Sequence, residues 1–149
     1  MKDALDSFRS TEALKTIVPA VFADMTFIDV EVSSPAGADP EGRAAIDILK
    51  PVSCRLELAV GPELRSRIAD ILFGESEERG RDDAFLELLN IAAGAFISEY
   101  FGVGADAKLE LPHYLYLDDG SEGPEVAAVT FDAEGEPVQA TLRSVRYRY

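Results

Sequence analysis

The sequence predicts an α+β fold, an antiparallel sheet packed against two or three helices, and three observations carry that expectation. Arg43–Leu49 and Ser53–Val60 read as neighbouring strands, the second alternating through Cys54, Leu56, Leu58 and Val60. Val126–Asp132 and Val138–Arg148 flank the segment AEGEP, a second hairpin with Gly135 as its turn glycine. Between the two hairpins lies DDAFLELLNIAAGAFISEY, residues 82–100, whose apolar positions recur at helical spacing. A chain of 149 residues suits one domain spanning 1–149 and able to bury a substantial core.

Taken in order, Ala4 to about Met25 reads as a helix with Leu5, Phe8, Leu14, Ile17, Val18, Val21 and Phe22 on one broad face. Pro19 removes a donor inside that pattern, so a kink or break is expected there. Thr26–Val32 has strand composition, and Ser33–Gly42 is a turn-rich connector. Pro51 cannot donate to a ladder and marks the bend between the first two long strands. Gly61 and Pro62 open the next helix, Leu64, Ile68, Ile71 and Leu72 form its stripe, and Gly74 stops it. Glu75–Arg81 is a charged loop. After the central helix, Gly102–Gly104 is a turn, Ala107–Leu111 a short strand ending at Pro112, and Tyr114–Leu117 a further candidate strand. The last residues, VRYRY, fit either an edge strand or an interior one.

The central helix carries the most information. Steps of four and three place Asp83, Glu87, Asn90, Gly94 and Ser98 in one narrow line. Phe85, Leu88, Leu89, Ala92, Ala93, Phe96 and Tyr100 form a wide apolar face that requires a core. Leu86 and Ile97 border the polar line on one side and Ile91 on the other. Asn90 costs a helix about 0.5 kcal/mol relative to Ala and Gly94 about 1 kcal/mol. Two such residues on one line point to a backbone that something approaches closely, although Gly94 also fits a packing glycine against another helix. Taken singly, Asp83 fits an N-cap or a first-turn acid favoured by the helix dipole, and Glu87 an ordinary early-turn acid.

A net charge of -14 and a pI near 4.3 argue against nucleic acid and anionic membrane surfaces as partners. Cys54 is alone and so is His113, which leaves no internal disulfide and no thiol–imidazole zinc set. No nucleophile–base pair is visible, which weakens any small-molecule hydrolase reading. Without a Lys/Arg-led apolar segment or a long enough apolar run, a cytoplasmic protein is expected.

Asp83-x3-Glu87-x2-Asn90, followed after 21 residues by Pro112, matches the [Asp/Ser]-x3-Glu-x2-Asn-x21-Pro signature of the CheC/CheX/FliY chemotaxis phosphatases. The order of elements, and the Asn-x-x-x-Gly of residues 90–94, also resemble that family, and a single copy of the signature resembles CheX. The chain departs from the pattern at 48–54, which lacks the hairpin glycines common in the family, and at His113-Tyr114 after the proline.

The resemblance implies a CheC/CheX-like fold and a phosphatase acting on the phospho-aspartate of a CheY-like response regulator. Asn90 would orient the attacking water and Glu87 would pair with the regulator's active-site lysine. Asp83, Leu86, Ile91, Gly94, Ile97 and Ser98 would contact the partner, and Pro112 would be structural. The protein would need no cofactor of its own, because Mg²⁺ belongs to the partner's receiver domain, and it would be a homodimer. The rival reading is a non-catalytic module that binds response regulators, as in the flagellar switch.

Overall fold

The computed structural model of the chain describes residues 5–34, 42–74, 81–115 and 123–145. The expected loops at 33–42, 75–81 and 118–125, the extension through Leu117, and the last four residues of VRYRY fall wholly or partly outside them. The described elements run α1 (Ser7–Thr26), β1 (Val30–Val32), β2 (Gly42–Lys50), β3 (Cys54–Val60), α2 (Pro62–Phe73), α3 (Arg81–Phe101), β4 (Lys108–Leu109), β5 (His113–Leu115), β6 (Glu125–Ala133) and β7 (Glu136–Ser144). This is the expected α+β layer.

All strand pairs are antiparallel, in the order β1-β6-β7-β3-β2, with β4 and β5 both on the outer side of β2. The two hairpins anticipated from alternation form the centre of the sheet. In the second, Glu134 and Gly135 both take positive φ (52° and 96°), as a two-residue turn matched to strand twist requires. The β2–β3 register pairs Ala44 with Leu58 and Ile48 with Cys54, so one face presents Ile46, Ile48, Leu56, Leu58, Val60, Val138, Ala140 and Leu142 to the helices. The other face carries charge: Arg55 forks onto Asp47 at 2.7 and 3.1 Å, and Arg143 donates to the buried Glu57 at 3.1 Å.

Asp6 caps α1 by accepting from the Arg9 N–H at 2.9 Å. Of the kink or break expected at Pro19, the break does not occur: the helix is continuous, with Leu14, Ile17, Val18, Val21 and Phe22 on both sides of the proline buried in the same core. Two residues assigned to apolar faces are exposed, Phe8 on α1 and Ile71 on α2. Each lies roughly 80–110° round from the centre of its buried stripe, so the stripes are narrower than the expected faces. The Thr26–Val32 strand shrinks to β1, since the α1 helix itself extends to Thr26 and Phe27 caps it in the left-handed region. β7 lies between β6 and β3, so the C-terminal strand is interior up to Ser144.

The apolar stretch 83–101 has a mean hydropathy of 1.3 and is long enough to cross a membrane by length and composition, contrary to the expectation that no run would be. Its apolarity is that of a core helix: Phe85, Leu88, Leu89, Ala93 and Phe96 are fully buried among α1, α2 and the sheet. At its far end Arg9 donates to the Tyr100 carbonyl at 2.8 Å and lies 4.2 Å over the Tyr100 ring, while the Asp6 N–H donates to the Tyr100 hydroxyl.

Glu134 ties the β6–β7 turn to the helical layer, accepting from Arg67 at 2.7 Å and from the Asp29 N–H at 3.0 Å. The Arg67 hydrogen bond, then the Asp29 amide, hold its carboxyl below its ordinary value of 4.5. A carboxylate whose folded pKa is depressed contributes stability above 4.5 and loses it as pH falls through the folded value. Glu134→Gln is therefore expected to lower the urea midpoint at pH 7 while shrinking the drop between pH 7 and pH 3.

Candidate functional site

The line on α3 is largely exposed, as its spacing requires. Asp83, Glu87 and Ser98 are exposed, and Asn90 and Gly94 half-buried. Asp83 falls in the first turn of a helix that begins at Arg81, where a carboxylate suits the positive end of the helix dipole. Glu87 and Asn90 stand one turn apart, so their side chains are neighbours. Among the described residues, neither Asp83 nor Glu87 has an ion pair, and the Asn90 carboxamide has no hydrogen-bond partner. An amide with a donor and an acceptor both unused, mid-helix and beside a carboxylate, contributes nothing visible to the fold.

The opposing wall is made where the sheet edge fails. β4 pairs with β2 at Ile48 and Lys50, and β5 pairs with it at Arg43–Ala45. The Glu110 N–H reaches the Asp47 carbonyl at 2.9 Å, after which Pro112, lacking an N–H, cannot continue the ladder. Leu111 and Pro112 turn off the sheet and face α3. The result is a groove of about 350 Å³ lined by Asp83, Leu86, Glu87, Asn90, Leu111 and Pro112. Three signature side chains from the helix and the proline 22 positions beyond Asn90 therefore meet around one space. Phe85, on the opposite side of α3 from the polar line, fixes the two walls together by stacking on Tyr114 of β5, with ring centroids 6.2 Å apart.

The remaining sequence-assigned residues divide. Ile91 is 39% exposed on the far flank of the line, and Gly94 and Ser98 continue the line beyond the groove. Ile97 was expected at the apolar border of a contact surface and is instead 3% exposed, part of the core. Leu86, on the same flank, is only partly buried against that core. Leu111 was expected within a strand alternating with Leu109, yet β4 ends at Leu109 and Leu111 is 86% exposed. Pro112 beside it was the available signal that the alternation would stop.

Among the described residues, a Cβ added at Gly94 would meet nothing within 4 Å, so this glycine packs against none of the described helices. Gly94→Ala is therefore expected to raise stability by up to about 1 kcal/mol through helix propensity alone, read from urea unfolding. Cys54 offers no nucleophile, being fully buried, with its thiol pushed up to about 12 by burial and then by the nearby Asp47 carboxylate.

An antiparallel sheet layered with helices in this order is the fold of the CheC-like chemotaxis proteins, and this chain has that fold. More particularly, it resembles CheX. The CheX structure from Vibrio vulnificus matches with a TM-score of 0.74 over 94% of this chain and 99% of that one, at 13% identity. CheX from Desulfovibrio desulfuricans matches with a TM-score of 0.69 over 89% and 97%, at 14% identity. The CheX–CheY–BeF3–Mg²⁺ complex from Borrelia burgdorferi matches with a TM-score of 0.65 over 89% and 95%, at 16% identity. No protein-family model matches the sequence, and no curated protein matches it. At these identities the likeness is one of fold.

Proposed function

We propose that this chain, folded as one domain, is a phosphatase that removes the phosphoryl group from the aspartate of a CheY-like response regulator. The observation that carries the reading is the Asn90 carboxamide, without a partner among the described residues, set one turn from the Glu87 carboxylate, likewise unpaired among them, on the open wall of the groove. The fold relative solved as a complex with CheY, BeF3 and Mg²⁺ supports the class of partner.

Hydrolysis of an acyl phosphate needs a water placed in line with phosphorus and donors for the phosphoryl oxygens; it needs no nucleophile from the helper. Mg²⁺ in the regulator's own pocket would offset charge on the phosphoryl group. Glu87 pairs with the pocket lysine and so seats the ridge. Asn90 Oδ1 accepts from the water, and Asn90 Nδ2–H donates to a phosphoryl oxygen. As the water oxygen bonds to phosphorus, the bond to the aspartyl oxygen breaks. The gain comes from placement rather than from proton transfer by the amide. Gly94, one turn further, keeps the ridge low for the partner's surface, so Gly94→Ala weakens regulator binding even as it stabilises the fold.

The same reading makes the protein cytoplasmic and homodimeric. Of the two described sheet edges, β1 is the one whose use leaves the groove clear. Catalytic amounts of the protein, mixed with a panel of phosphorylated receiver domains, are expected to release many equivalents of phosphate from at least one of them. Release that never exceeds the receivers' own rate, together with one-to-one binding, would establish the rival reading of a binding module.

A further inference from the structure

We propose that Leu111 is the apolar anchor by which the groove selects its partner, and that it governs docking rather than the chemical step. This rests on the phosphatase reading above and names the surface that reading requires. Leu111 is 86% exposed, and a single exposed leucine is ordinary on a protein surface. What distinguishes this one is its mounting. On one side the chain is fixed by the Glu110–Asp47 backbone hydrogen bond, on the other by the β5 ladder to Arg43–Ala45, and Pro112 fixes the φ angle between them. An apolar side chain held out on a short, pinned segment loses little conformational freedom when it binds.

The occupant that fits is a lysine-bearing surface with an apolar side chain beside the lysine. Asp83 and Glu87 lack a cation among the described residues, and they face Leu111 and Pro112 across the groove. A lysine laid along that space would set its ammonium on the carboxylates and its methylene stem against the leucine wall. A second copy of this chain is disfavoured there, because two proteins of net charge -14 would bring their carboxylates together. An apolar anchor flanked by polar groups is the arrangement in which a few residues dominate an interface.

The test uses steady-state phosphate release together with titration of a beryllofluoride-loaded receiver domain. Leu111→Ala is expected to raise both KM and Kd about tenfold with kcat within about twofold. Leu111→Asp should raise them further and Leu111→Met should restore them, with melting temperatures unchanged throughout. A fall in kcat at constant KM, or Leu111→Asp matching a wild-type protein that is active, overturns the anchor alone. A wild-type protein that neither binds nor dephosphorylates any receiver overturns the phosphatase reading beneath it.

Discussion

Asn90→Ala is expected to lower the rate of regulator dephosphorylation by about 10²–10³-fold, the range seen when one preorganised donor is removed from a transition state. Binding of a beryllofluoride-loaded receiver should change by less than about threefold, because most of the surface that docks is elsewhere on the ridge and on Leu111. The asymmetry follows from the amide's position: among the described residues it has no hydrogen-bond partner, so removing it breaks no contact seen there. Alanine is also the better helix former, so the variant should be slightly more stable than the wild type. Asn90→Asp is a sharper version. It keeps the shape and the acceptor, loses the donor, and places a second charge beside Glu87, so both docking and turnover should suffer.

Phe85→Ala should produce the largest loss of stability of any single change near the groove, about 3–5 kcal/mol for a fully buried phenylalanine. For a chain of this length that corresponds to a melting temperature lower by on the order of 10 °C. The ring does more than fill the core, because its stack on Tyr114 holds β5, and hence Leu111 and Pro112, at a fixed distance from α3. Activity per folded molecule should therefore fall as well, with KM rising as the two walls lose register. Phe85→Leu separates these contributions. It keeps most of the buried volume and should recover much of the stability while leaving the groove loosened, which thermal unfolding and steady-state kinetics together would reveal.

How much of this was legible in the sequence depended on whether the determining contacts were local. The polar line of α3 was legible because helical periodicity alone aligns Asp83, Glu87 and Asn90, and both hairpins were legible through alternation and Gly135. The resemblance to the family signature, and not the spacing by itself, singled out Pro112, and the structure shows it at the break in the sheet edge, lining the same groove as Asn90. Ile97 was misplaced because a helical wheel carries no information about which parts of the fold pack beside it; it lies in the core cluster. Leu111 was hidden by its own alternation with Leu109, which would place it in a strand that the proline ends. Pro19 did not break α1, since a core that holds both halves of a helix outweighs one missing hydrogen bond. Long-range packing decided Ile97 and Pro19, whereas the neighbouring proline decided Leu111.

The central claim is that the Glu87–Asn90 pair enters a phosphorylated pocket on another protein. The Asn90 side-chain NH₂ resonances, assigned by their loss in Asn90→Ala, report on it directly. On addition of a beryllofluoride-loaded receiver domain they should shift, and they should stay in place when the receiver's pocket lysine is replaced or the beryllofluoride is omitted. Resonances that remain unmoved while other surfaces of the chain respond would contradict the account.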